Sequence, residues 1–112
     1  MTTALTNTLN QAADAIKKAS NYLCPKEVLE CLSLLDSCYK RKSKVIVSGV
    51  GKSGIVARKI AATFSSVGLM AVYINPLDAL HGDIGIMHSL DICILLSNSG
   101  ETEELLDFIF HI

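Results

Sequence analysis

Tryptophan is absent from this 112-residue chain, aromatic residues make up only 5 %, and prolines occur twice, at Pro25 and Pro76. With so little aromatic area, any core must rest on aliphatic packing. Net charge is nearly absent too, since 10 basic side chains face 11 acidic ones and leave −1. That balance gives no electrostatic case for nucleic acid or for an anionic membrane surface as a partner. Cysteine pairs are missing: Cys24, Cys31, Cys38 and Cys93 form no CxxC and have no histidine at zinc-ligand spacing. Buried reduced thiols are therefore expected, and no metal site. No apolar run approaches the roughly 18 residues of a spanning helix, and the opening MTTALTNTLNQ lacks the basic start and apolar stretch of a signal peptide. A cytoplasmic protein without a membrane partner is the expectation.

What is present is apolar. Half of the residues are hydrophobic and mean hydropathy is +0.41, enough for a core but within the size of one small domain. The organising stretch is Lys44 to Ser66, KVIVSGVGKSGIVARKIAATFSS. Val45, Ile46 and Val47 form a β-branched run without alternation, as in a strand covered on both faces of a parallel sheet. Gly49, Gly51 and Gly54 let backbone approach a ligand, and Ser53 places a hydroxyl beside the helix start. Ile55, Val56, Ile60, Ala61 and Phe64 then recur at helical spacing. A helix N-terminus aimed out of the carboxyl end of a strand favours an anion, because free N–H groups and the helix dipole both point there.

Before this stretch, Leu5, Leu9, Ala12, Ala13, Ile16, Ala19 and Leu23 predict a helix over residues 3 to about 23, broken at Pro25. A second helix follows with Val28, Leu29, Leu32, Leu35 and Tyr39 inward, its stripe widened by Cys31, Leu34 and Cys38 as if packed on two sides. After it, Val67-Gly68 is a helix stop, 70–74 a second strand, and 76–90 a short helical turn followed by a loop. Residues 91–96 make a third strand, and 97–102 a polar turn. A last helix from Glu103 would bury Leu105, Leu106, Ile109 and Phe110.

Gly49 to Gly54 matches the GxGxxG fingerprint of dinucleotide sites, but the acidic ribose ligand expected about 20 residues on is Asn75 here, with Asp78 a little late. A triphosphate loop would need glycine where Ile46 stands. The polar turn favours a different ligand. Ser97, Ser99 and Thr102, with the Asn98 amide, gather donors suited to a single phosphate group at a helix opening, although Ser, Asn and Gly are also ordinary turn residues.

The segments SGVGKSGIVARKIAATFSSVG, HGDIG and SNSGETEEL, in this order and spacing, resemble the sugar isomerase domain, and most closely the arabinose 5-phosphate isomerases. The resemblance covers residues 40 to 112. It implies an α/β, flavodoxin-like parallel sheet with flanking helices, here about three strands over residues 43–112, with two N-terminal helices over 1–42 packing on it. It also implies interconversion of ribulose 5-phosphate and arabinose 5-phosphate for lipopolysaccharide synthesis, no redox cofactor, a sugar phosphate as substrate, and a homo-oligomer. Carried over, the family's phosphate turn assigns Ser97, Asn98, Ser99 and Thr102, with Gly51 and Ser53 of the glycine loop beside the substrate. Its catalytic residues match Lys52, His81 and Glu104, and its HGD turn can reach the site of a neighbouring subunit. A non-catalytic sugar-phosphate sensor and a dinucleotide-binding domain are the alternatives. The family sheet has five strands against three expected here, so the chain reads as truncated, retaining the phosphate-binding half of the site without useful turnover.

Overall fold

The segment Val45–Gly49, strand β1, is buried at every position, because it is covered on both faces and paired on both edges. The computed structural model describes residues 1–112. It shows β1 flanked by two parallel neighbours, β2 (Ala71–Tyr73) and β3 (Ile92–Leu96), in the order β2-β1-β3. This is the opening of the flavodoxin-like order, in which the chain reverses direction across the sheet between β1 and β3. The registers pair Val45 with Ala71 on one side and with Ile92 on the other.

Alternation along β1 divides the core. Val45 and Val47 pack with Cys38, Ala57 and Ala61, whereas Ile46 packs on the other face with Ile74, Ala79, Leu105 and Phe108. Helix α3 (Lys52–Ser66) covers the first face, and α4 (Pro76–Leu80) with α5 (Glu103–Phe110) covers the second. The residues of α3 that turn inward are the small ones, Gly54, Ala57 and Ala61. Ile60 and Phe64 pack partly against the same cluster as expected, whereas Ile55 and Val56, also expected inward, are exposed, because the closest approach of the helix to the strand is taken by Gly54 and Ala57. The last helix is also rotated from its expected face. Leu105 and Phe108 are buried while Leu106, Ile109 and Phe110 are exposed.

Helix α3 ends as its sequence predicts. Gly68, at φ +90°, lets its own N–H reach Ser65 O and the Leu69 N–H reach Phe64 O, the paired bonds of a Schellman cap. Residues 76–90 open with the short helical turn expected, α4, and the loop after it contains a 3-10 turn, Asp83–Ile86.

At the amino end of the sheet, Lys44 and Asp91 immediately precede β1 and β3. The Asp91 carboxylate accepts from Lys44 Nζ at 2.6 Å, Lys44 N at 3.1 Å and His88 N at 2.8 Å. Its side chain is only 3 % exposed. Burial alone would push this carboxyl up, but the Lys44 ammonium and the two N–H groups outweigh it and hold the carboxyl below its ordinary value. Burial, and then the Asp91 charge, push the nearby Cys93 thiol up.

The chain forms two compact units, Met1–Ser33 and Leu34–Ile112. The first contains α1 (Thr2–Ser20) and the opening of α2 (Pro25–Arg41). No residue of α1 is buried. In α2 the only buried residue is Cys38, with Leu35 packed partly against the same cluster, so the stripe expected to pack on two sides packs on one. Cys24 and Cys31, expected to be buried, are exposed thiols. No helix is long and apolar enough to cross a membrane.

Candidate functional site

Two turns leave the carboxyl ends of adjacent strands. The glycine loop joins β1 to α3, and the serine turn joins β3 to α5. In open α/β sheets this crevice, where the chain reverses direction between neighbouring strands, is where ligands bind. Here it holds a cavity of about 480 Å³ lined by Lys52, Ser53, Val56, Leu96, Ser97 and Asn98.

The glycine loop is shaped by backbone contact. A Cβ at Gly54 would lie 2.7 Å from Gly49 O, and one at Gly49 would lie 2.9 Å from Ser53 C and O. Both positions must be glycine for the helix start to touch the strand end. Gly51 is the N-cap of α3 at φ +61°, and with no side chain it makes no cap bond. The N–H groups of Lys52 and Ser53 belong to the first turn, where no preceding helical carbonyl is available. No acidic residue lies in that turn, so nothing on the helix itself offsets the positive end of its dipole. Lys52 is exposed and Ser53 half-buried. Of the residues lining the cavity, Lys52 alone carries charge.

The serine turn is built from side chains. Ser97 Oγ lies 2.8 Å from Thr102 Oγ1 and accepts from Gly100 N at 2.9 Å. Ser99 Oγ accepts from Glu101 N at 3.0 Å. The hydroxyls expected to offer themselves to a ligand are thus partly engaged in holding the turn's shape. A hydroxyl that accepts an N–H bond still has its own proton to donate, so Ser99 keeps a donor, and so does one of the pair Ser97 and Thr102.

The structure therefore gathers Lys52, Ser53, Ser97 and Asn98 around one cavity and ties Thr102 to it through Ser97. Ser99 braces the turn from outside the lining, and Gly51 sits exposed at the helix cap. Glu104 is half-buried in the first turn of α5, and His81 is the exposed C-cap of α4; neither lines the cavity. The sequence reading misses Val56 and Leu96, the apolar wall. Their signal is the run of aliphatic residues beside each turn, but helical spacing assigns Val56 to the core. Asn75, standing where a dinucleotide site places its acidic residue, accepts from Leu77 N at 2.9 Å and caps α4.

Comparison with known proteins bears on the same segments. The family model described as SIS domain matches residues 38–111. Arabinose 5-phosphate isomerase KpsF of Escherichia coli O6:H1 is 40 % identical over 107 residues, covering 96 % of this chain and 32 % of KpsF. A solved candidate phosphosugar isomerase involved in capsule formation, from Bacteroides fragilis, matches with a TM-score of 0.88 at 32 % identity. That match covers 96 % of this chain and 55 % of the other. The Escherichia coli CFT073 protein c3406, solved in complex with a sugar phosphate, matches at 38 % identity and a TM-score of 0.79, over 97 % of this chain and 58 % of its own. The chain spans about a third of the length of the curated relatives it matches.

Proposed function

The chain belongs to the SIS-domain family, and from that premise we propose that it is the phosphate-binding portion of an aldose-ketose isomerase acting on ribulose 5-phosphate and arabinose 5-phosphate. The observation that carries the reading is the convergence of Lys52, Ser53, Ser97 and Asn98 on one cavity at the carboxyl ends of β1 and β3. The phosphate group sits against the serine turn and the uncapped start of α3. Its negative charge meets N–H groups and hydroxyl donors together.

With the phosphate so held, isomerisation removes a proton from C1 of ribulose 5-phosphate, passes through a cis-enediol, and returns a proton to C2 to give the aldose. Lys52 stabilises the negative charge that develops on the enediolate oxygens. Glu104 or His81 transfers the proton. For His81 the route lies through a neighbouring subunit, consistent with its exposed place at the end of α4. The interconversion needs no redox cofactor, because the substrate and product are isomers of the same overall oxidation level. In this reading the protein works in the cytoplasm as a homo-oligomer, in the supply of a lipopolysaccharide precursor. The relatives named arabinose 5-phosphate isomerase support the pentose assignment.

Calorimetric titration tests the proposal. Ribulose 5-phosphate should bind, and Ser97→Ala should weaken it by about tenfold through loss of a charge-assisted bond. Unchanged affinity in Ser97→Ala, or binding of a nicotinamide dinucleotide in place of the sugar phosphate, would falsify it.

A further inference from the structure

The parallel ladder between β1 and β2 ends one rung short of the glycine loop. Val47 O accepts from Ile74 N at 3.0 Å, and the two-residue step of a parallel ladder would set the next carbonyl on that side, Gly49 O, against Pro76. Proline has no N–H to offer. Gly49 is buried, so its carbonyl needs a donor from elsewhere. The Tyr73 hydroxyl supplies it, donating to Gly49 O at 2.9 Å. A companion bond runs in the other direction, with the fully buried Ser48 hydroxyl donating to Ile74 O at 2.6 Å. Side-chain hydroxyls thus take over from backbone rungs where the chain leaves β2 for α4.

The same tyrosine reaches the helix start. A Cβ at Gly54 would come within 2.9 Å of the Tyr73 hydroxyl, and the Arg58 guanidinium, one turn further along α3, lies 4.7 Å from the ring centroid. The ring is therefore held between the end of β1 and the first turns of α3, without lining the cavity itself.

We propose that Tyr73 is a positioning residue for the sugar-phosphate site: its hydroxyl, bonded to the Gly49 carbonyl, fixes the glycine loop so that Lys52 and Ser53 face Ser97 and Asn98 across the cavity. The inference rests on the reading of that cavity as the sugar-phosphate site. Tyr73 acts only through Gly49 and Gly54, so its effect on a ligand must pass through the residues that the loop carries.

Tyr73→Phe deletes the hydroxyl and keeps the ring and its contact with Arg58. The full chain, Tyr73→Phe, Lys52→Ala and the double variant are titrated with ribulose 5-phosphate, and urea midpoints are measured alongside. Tyr73→Phe should weaken binding about tenfold when Lys52 is present and less than about twofold in the Lys52→Ala background, the non-additivity expected of coupled residues. The urea midpoint should fall equally in both backgrounds. Equal binding losses in the two backgrounds, or no loss, overturn the inference. Amide hydrogen exchange separates this failure from that of the functional reading. If the unaltered chain binds no ribulose 5-phosphate, the assignment of the cavity fails. The brace is then judged from the Gly54 and Ile55 amides, whose exchange in Tyr73→Phe should rise about tenfold relative to that of β3 if local opening is eased. Unchanged exchange refutes the brace as well.

Discussion

The glycine loop and the serine turn occupy the same end of the sheet and face the same cavity, yet they are held in shape by opposite means. The loop's own side chains make no hydrogen bond that shapes it; its form comes from strand and helix backbones pressed together at Gly49 and Gly54, with the Tyr73 hydroxyl reaching in from β2 to the Gly49 carbonyl. The turn depends on hydroxyl bonds among Ser97, Ser99 and Thr102 and its own N–H groups. The difference has a chemical consequence. A loop shaped by packing keeps its N–H groups available to an anion, whereas a turn shaped by hydroxyls spends some of its donors on itself. In the proposed reading the loop, with fewer polar side chains, is the stronger anion determinant, and the serine turn contributes as much by placement as by donation.

The largest test strikes what the two turns share. Lys44 and Asp91 tie β1 to β3 at the end remote from the cavity, and both turns leave those two strands. Asp91→Ala should cost about 4 kcal/mol of stability, because it leaves the Lys44 ammonium largely buried without its partner. Urea denaturation reads this, and a loss below about 1 kcal/mol would mean that the pair does little to hold the two strands. The pair also predicts a pH dependence. The folded Asp91 carboxyl lies below its ordinary value, so its contribution is complete above the unfolded value of about 3.9 and is lost as pH falls from there through the folded one. The stability difference between the unaltered chain and Asp91→Asn should shrink over that window. A difference that stays constant from neutral pH down into the acid range contradicts the assignment.

Next in size is a change confined to the loop. Gly54→Ala places a Cβ 2.7 Å from Gly49 O, against backbone that cannot step aside, and overpacking of this kind costs about 3 kcal/mol. Measured by the same denaturation, a tolerated alanine would show that the loop is not held by contact. On the turn, Ser97→Ala removes two hydrogen bonds near the surface and should cost about 1 kcal/mol. The smallest effect sharpens the contrast most. The Ser53 hydroxyl has no part in the bonds that shape the turn, and Ser53 lines the cavity, so Ser53→Ala should change stability by less than about 0.5 kcal/mol while still weakening ribulose 5-phosphate binding. Comparable stability losses for Ser53→Ala and Ser97→Ala would erase the distinction between loop and turn.

Much of this frame is legible in the sequence because it is local. Strand, glycine loop and helix follow one another within Lys44 to Ser66, and the serine turn sits directly between β3 and α5, so adjacency in the chain places both turns correctly. Properties set by distant partners are not legible. Which face of α3 turns inward depends on how near the helix lies to β1, and that closeness puts Gly54 and Ala57 inside in place of Ile55 and Val56. Tyr73 looks like any strand aromatic, since its acceptor lies 24 residues away across a register that the sequence does not state. The hydroxyls of Ser97 and Ser99 read as free donors because their use within the turn depends on backbone angles. The stripes of α1 and α2 match helical spacing well, but periodicity reports a face and not whether the face is covered; Leu5, Leu9 and Leu29 are exposed.

Gly51 carries a further consequence, one of handedness. Its backbone stands at φ +61° and ψ −128°, the mirror image of the extended region that ordinary residues occupy with ease. An added L-Cβ would meet no atom within 4 Å, so space does not forbid a side chain there; chirality does. The loop asks at this one position for a residue of the opposite hand, and glycine, which has no hand, is what the genetic code can provide. A D-alanine introduced by chemical ligation would sit in its own relaxed conformation. It would also remove disorder that the unfolded chain enjoys at this point, whereas L-alanine in the same space would be strained.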